Sequence, residues 1–571
     1  MKKPCTNCSA TFEVTDDDLE FLQKISPVFG DKKYIMPPPA CCPDCRQQLR
    51  LLWRNERKLY NRTCDLCKKS IVSMYPQERK FPVYCTECWW SDSWDSRDFG
   101  RDVDFERPFF EQMKELQNVV PRLALNVINN ENSEFINHSG SNKNCYLIFA
   151  AEFNEDCLYG YQVIKSTDCI DTCDCTESNY CYEVIDVDKC HSLFFSQNCT
   201  SCSSSSFLFD CKGCTDCLLS TNLRNKRYFI RNREYSKEEY QRIKQEIMEK
   251  IANGNLDDLL KEFEQLKEHG IRRALEVVSC ENVTGDYIKN SRNLRNCFDV
   301  SYGEDCAYIF TGFHIKDLMD VCHTTDAELG YDALSLGYGS YNTIFTHGSW
   351  GSTNLIYCDI IQTGSNMCGC VCMKPAKYCI LNKQYTQEEY EELVPKVIEL
   401  MRKTPLRSTS GSSAGCEWGA FFPAGFSPFA YNETTAQMYF PLTKSEAQEK
   451  GFPWRDEQDE KLNVEKTIPA HKLPAAIDDI PDDILNWAII CKSSGRPFRI
   501  VKRELEFYRS HRLPVPHIHP DERHVRRMIQ KNPRKLWERE CSKCQKKIQT
   551  SYSPERPEKV YCEECYLKEV Y

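Results

Sequence analysis

Apolar positions in the middle of the chain recur on a beat of twelve. Cys145, Cys157, Cys169 and Cys181 are twelve residues apart, and Asn or Asp stands directly before the first three. After a nine-residue step the beat continues through Cys190, Cys202 and Cys214. A second series starts with Cys297 and Cys306, passes Cys322, and resumes at Tyr331, Thr343, Leu355, Met367 and Cys379. A metal ligand would not tolerate replacement by Thr, Leu, Met or Tyr on the same beat, whereas an inward-facing position would. Turn-prone groups such as "NED", "STD", "SNK", "GSY" and "GST" sit just ahead of it, which suits strand, corner, strand. The pattern predicts two parallel β-solenoids in which equivalent side chains stack into ladders. Twelve residues read as half a coil, with roughly 24 to a full turn. Reduced Cys is small and apolar enough for such an interior. The clusters Cys169/Cys173/Cys175 and Cys368/Cys370/Cys372 are the places where metal binding competes with that reading.

Each series ends alike, in "KRYFIRNREYSKEEYQRIKQEI" and "KYCILNKQYTQEEYEELVPKVI". Ser236 with Glu239, and Thr386 with Glu389, have capping-box spacing, so a helix begins at each point and covers an otherwise open sheet end. The middle of the chain is therefore a duplication.

The flanks carry a different cysteine pattern. "CDLCKKSIVSMYPQERKFPVYCTEC" (64 to 88) holds two Cys-x-x-Cys knuckles separated by seventeen residues, and "CSKCQKKIQTSYSPERPEKVYCEEC" (541 to 565) repeats them with twelve of 25 positions identical. Two knuckles on adjacent hairpins give four thiolates around one ion, a closed tetrahedral site of structural zinc. The predicted ligands are Cys64, Cys67, Cys85 and Cys88 in one site, and Cys541, Cys544, Cys562 and Cys565 in another. A third site pairs Cys5 and Cys8 with Cys42 and Cys45, with Cys41 as an alternative to Cys42. Three structural Zn2+ ions are thus expected. "CTNCSATFEVTDDDLEF" lies over "CKSSGRPFRIVKRELEF" (491 to 507), and "NERKLYNRTC" over "NPRKLWEREC", so one module brackets the chain twice. In the second copy Ser494, His519 and Glu522 replace Cys8, Cys42 and Cys45, and that knot is expected to hold no metal.

The opening motifs "CTNC", "FEVTDDDLEFL" and "CPDCR" resemble short bacterial zinc-ribbon domains. Together with "SYSPERPEKVYCEECY" and "FFPAGFSPFAYNET", the whole resembles a family of uncharacterised bacterial multi-zinc-ribbon proteins with a Cys-rich middle. That resemblance implies a fold and supplies no activity.

Composition narrows the class. The chain has 571 residues and 36 cysteines, too long for one ordinary domain. Met1-Lys2-Lys3 leads into Cys5 without a charged-then-apolar leader, and no apolar run approaches the roughly 20 residues of a membrane span. A cytoplasmic protein with reduced thiols is expected, a secreted disulfide protein being the alternative. The fold class is mainly β with capping helices: terminal zinc ribbons flanking two Cys-rich parallel β-solenoid lobes. Along the chain this gives a double zinc-ribbon module (1–97), a helical connector (98–129), the first solenoid and cap (130–275), the second with its cap (276–404), a polar linker and aromatic, Pro-rich strap (405–479), and a module with one degenerate and one intact ribbon (480–571).

No nucleophile and base pair, phosphate-cradling Gly loop or open metal site stands out, so no catalytic residues are assigned. A glycan-acting β-helix enzyme is considered for "GYGSYNTIFTHGSWGSTN" and set below a structural role for those residues. The net charge of −10 argues against a uniformly basic protein. Basic residues nevertheless cluster near both ends beside aromatics: Arg50, Trp53, Arg54, Arg57 and Lys58, and Arg523, Arg526, Arg527, Lys531, Arg534, Lys535 and Trp537. Such interleaving suits phosphate contacts and base stacking, as well as a solvated helix face. The leading expectation is a non-enzymatic protein contacting RNA, as on a ribosome, or DNA through these ends. The alternatives are a protein-interaction scaffold using the solenoid flank, and a zinc store or thiol buffer.

Overall fold

A computed structural model of the chain describes residues 1–407, 413–456, 464 and 466–571; the polar linker expected at 405–415 lies partly outside them. Two compact units form, each from two separated stretches: Met1–Leu125 with Leu275–Asp456, and Asn126–Ala274 with Glu457–Tyr571. The N-terminal module thus groups with the second cysteine series, and the C-terminal module with the first.

The strands of the middle run parallel. In the unit that contains the first series, Ile170 pairs with Tyr182, Cys173 with Ile185 and Leu158 with Ile170, all twelve residues on. The Glu131 N–H donates to the Asn142 carbonyl (2.8 Å), and the Asn144 N–H to the Glu131 carbonyl (2.9 Å). Twelve residues therefore complete a turn of the ladder, which corrects the half-coil expectation. The reason is local. Left-handed backbone recurs every third residue, as at Asn144 (φ 53°), Leu147 (φ 52°), Ala150 (φ 51°), Phe153 (φ 58°) and Asp156 (φ 59°). One left-handed residue turns a corner and donates its N–H to the preceding coil, the next points inward, and the third donates to the following coil, so four sides of three residues close a turn. Asn and Asp visit this conformation at low cost, which is why they precede the inward cysteines.

So narrow a coil has room for four inward side chains. In one turn these are Cys145, Ile148, Ala151 and Asn154, all buried. The nine-residue step from Cys181 to Cys190 moves from one inward column to another of the same stack. The inward thiols act as donors: Cys169 Sγ gives to the carbonyls of Thr167 (3.3 Å) and Ser178 (3.5 Å). Burial pushes the thiols of Cys199 and Cys306 far up, so they remain protonated. Polar inward residues satisfy one another along the stack, as Asn154 does on Asn142 (2.8 Å).

In the other unit the stack repeats the design with irregular turns. Its first offsets are eleven (Val277 to Ile288, Glu281 to Arg292), most are twelve (Val300 to Gly312, Leu355 to Met367), and one turn shifts to thirteen (Gly330 to Thr343, Leu334 to His347). Because of that longer turn Tyr331 does not share the column of Thr343, Leu355, Met367 and Cys379; Gly330 does. Both stacks finish in an antiparallel pair, Arg227–Ile230 with Arg233–Glu234 and Lys377–Ile380 with Lys383–Gln384. Helices Lys237–Ala252 and Gln387–Lys403 follow, each opened by the capping box legible in sequence.

Candidate metal centres and the basic helices

Three groups of four thiols converge: Cys5, Cys8, Cys42 and Cys45; Cys64, Cys67, Cys85 and Cys88; and Cys541, Cys544, Cys562 and Cys565, each with its sulfurs mutually within 4.8 Å. Local backbone explains the convergence. After each first knuckle a left-handed residue turns the chain back, at Ser9 (φ 63°), Lys68 (φ 64°) and Gln545 (φ 61°). Each second knuckle begins at a helix N-cap: Cys42 before Pro43–Leu51, Cys85 before Thr86–Trp90, and Cys562 before Glu563–Val570. Backbone N–H groups also point at sulfur, from Cys42 to Cys5 (3.2 Å), Cys85 to Cys64 (3.3 Å) and Cys562 to Cys541 (3.2 Å). Burial raises the thiols of Cys64 and Cys541, yet these backbone donors outweigh it and bring both down to about 6. One sulfur pair in each group, Cys8 to Cys42 at 3.7 Å, Cys67 to Cys85 at 3.9 Å and Cys544 to Cys562 at 3.8 Å, matches the edge of about 3.8 Å for a tetrahedron with metal–sulfur bonds of about 2.3 Å. Each group can hold a metal ion, and four thiolates leave no coordination position open to substrate.

Cys41 sits beside the first group, hydrogen-bonded to Thr6 Oγ1 at 3.3 Å, and Cys42 occupies the ligand position. The degenerate copy keeps the knuckle turn at Gly495 (φ 72°) and the N-cap at His519, but not the ligands. His519 Nδ1 accepts the Asp521 N–H (3.1 Å), while Cys491 and Ser493 both donate to Glu522. Hydrogen bonds stand where the other copy gathers thiolates. Among the described residues, neither Cys169/Cys173/Cys175 nor Cys368/Cys370/Cys372 forms a metal-binding group. Cys173 instead faces Met528 Sδ at 3.6 Å.

Nothing among curated proteins matches. No family model matches the chain either, so the resemblance to zinc-ribbon families rests on its motifs alone.

The basic residues are placed unlike the surface expected of them. Arg50 and Trp53 are fully buried, and Arg54, Arg523 and Arg527 nearly so. On the helix Pro43–Leu51, Arg46 binds Asp320 of the coil stack (2.7 Å), and Arg50 bridges Asp320 (3.2 Å) and Asp332 (2.7 Å). Burial pushes the Asp332 carboxyl up to about 6 against the pull of Arg50. Arg54 donates to Glu56 (2.5 Å) and Ser335 (2.7 Å), and Trp53 packs against Phe422 (5.0 Å between centroids) and His347 (5.3 Å).

The helix Pro520–Ile529 does the same in its own unit. Arg523 and Arg527 (2.9 Å) share Asp171, Arg527 also reaches Glu183 (3.1 Å), and Lys531 pairs with Asp174 (2.6 Å) and Asp186 (3.4 Å). Arg57, Lys58, Arg534 and Trp537 are half-buried, Arg526 and Lys535 are exposed, and the Lys535 ammonium lies 5.4 Å from the Trp537 ring centroid. Buried carboxylate pairing has taken the charges at the centre of both basic clusters.

The coil-side partners Asp171, Glu183, Asp320 and Asp332 were not foreseen. Their signal lies in aligning the two stacks on one column, where Tyr159, Asp171, Glu183 and Phe195 correspond to Tyr308, Asp320, Asp332 and Phe345. Equivalent helix residues Asp18 and Glu504 reach the same corner, Asp18 through Arg295 and Glu504 through Tyr159 (2.7 Å).

Proposed function

We propose that the protein is a non-catalytic binding scaffold: a pair of β-solenoids, each held by a zinc-stabilised module, whose working surface is the outward flank of the coils. The observation that carries this reading is the arginine clamp, present in both units at equivalent positions. Arg46 and Arg50, like Arg523 and Arg527, are spent on buried carboxylates and offer a polyanion nothing. Closed four-thiolate centres supply folding energy and give no site for metal-assisted chemistry. The inward thiols, engaged as donors to backbone carbonyls, suit a packed interior better than a zinc store.

Titration with single-stranded RNA at low salt, together with metal analysis, tests the proposal. The expected result is no RNA binding and about three tightly held zinc ions per chain. Salt-dependent RNA binding abolished by replacing Arg526 and Lys535 would restore the nucleic-acid reading.

A further inference from the structure

The outward face of the stack in the Met1–Leu125 and Leu275–Asp456 unit carries a groove of about 440 Å³ lined by Tyr302, Glu304, His314, Lys316, Asp326 and Tyr341, among others. A second hollow beside Arg292, Tyr302 and Glu304 extends it along the coils. Three features of the lining point to one ligand chemistry.

First, the carboxylates that line it are partnered: Glu304 by Arg292 (2.5 Å), Asp326 by His314 (3.3 Å) and Glu328 by Lys316 (4.0 Å). These groups offer hydrogen-bond donors and acceptors, and Glu304 and Glu328 carry their counter-charges with them. Second, two large aromatics of the lining stand half in solvent: Tyr302 is 49% exposed and Tyr341 44%, and beside the groove Phe313 (46% exposed) meets Tyr302 edge to face at 5.6 Å. Tyr302 also sits at a left-handed corner (φ 57°), a conformation that suits Asn or Gly better than a bulky side chain. Third, the arrangement occurs in both stacks. Phe153 is 57% exposed at a left-handed corner (φ 58°), two residues before Glu155, which pairs with Lys143 at 2.9 Å. Tyr302 stands likewise two residues before Glu304. The coil geometry asks for neither aromatic.

We propose that this groove binds a neutral oligosaccharide lying along the stack. Aromatic faces receive the apolar faces of pyranose rings, while the paired carboxylate, imidazole and ammonium groups exchange hydrogen bonds with hydroxyls. Successive coils, spaced about 4.8 Å apart, repeat these groups along the groove, as a linear sugar chain repeats its hydroxyls. The proposal rests on the coil flank being the working surface and adds the ligand class.

The test is affinity electrophoresis of the full-length protein in gels carrying hydroxyethylcellulose, amylose or galactomannan. The expected result is retardation by at least one of them, persisting when salt is added because no net charge is neutralised. Tyr302→Asn and Tyr341→Ala each weaken it about tenfold, the scale of one lost stacking contact. Asn accepts the left-handed corner, so Tyr302→Asn melts no lower than the parent, and its loss of binding is not a loss of fold. Absence of retardation in all three gels, retardation unchanged in both variants, or retardation abolished by salt would each overturn the ligand class. Those outcomes leave the metal count and the RNA titration untouched, so a failed ligand class is distinguishable from a failed scaffold reading.

Discussion

Asp320 is the most informative single position in the clamp. It is fully buried and accepts from Arg46 Nε (2.9 Å), Arg46 Nη2 (2.7 Å) and Arg50 Nη2 (3.2 Å). In Asp320→Ala, Arg50 keeps Asp332, but Arg46 keeps the Cys41 carbonyl at 2.6 Å and the Tyr308 ring at 5.4 Å and loses the carboxylate it is paired with. Removing one partner of such a pair costs about 3–5 kcal/mol, against 0–1 kcal/mol for an exposed pair. A chain with two units does not unfold in one step, so the local opening of the helix Pro43–Leu51 is the quantity to read. Amide hydrogen exchange across that helix should quicken by roughly two to three and a half orders of magnitude, at about 1.4 kcal/mol per decade. Pairing Arg46→Met with Asp320→Leu, which removes both charges, should return most of the protection. A change worth less than about 1 kcal/mol in Asp320→Ala would refute the clamp and free these arginines for another role.

Other outcomes follow from the same structure. Cys169→Ala removes an inward sulfur; the expected cost is about 1 kcal/mol with metal content unchanged, whereas loss of a metal ion would show the coil thiols to be ligands. Burial holds His519 down to about 4, flanked by Asp521, Glu522, Arg496 and Arg523, while the unfolded imidazole titrates near 6.5. Its neutral form is the folded one, so the contribution is complete above about pH 6.5 and is lost at up to about 1.4 kcal/mol per unit as pH falls towards 4. Hydrogen exchange in the helix Pro520–Ile529 should show that slope. His519→Asn, which keeps an N-cap acceptor, should remove it; an equal slope in the variant would assign the titration elsewhere.

The sequence made some layers of this molecule legible and hid others for physical reasons. Cys-x-x-Cys spacing is local, so the three thiol groups could be assembled from the chain alone, as could the capping boxes at Ser236 and Thr386. The beat of twelve marked inward positions, but the turn length depends on where the chain bends, and the bends are left-handed corners at residues as unlike as Leu147, Phe153 and Asp156. Only the Asn and Asp corners announce themselves. The basic helices misled because an arginine cluster looks the same whether its partners are the phosphates of a nucleic acid or Asp171 and Asp320 hundreds of positions away. Pairing of each module with the distant stack is a property of contacts, and no local pattern carries it.

Native mass spectrometry of the full-length protein tests the central claim most directly. Three zinc ions per chain are predicted, falling by one in each of Cys5→Ser, Cys64→Ser and Cys541→Ser and staying at three when Cys157, Cys169 and Cys181 are replaced together by alanine. A count above three that drops with the coil cysteines, or no bound metal at all, would contradict it.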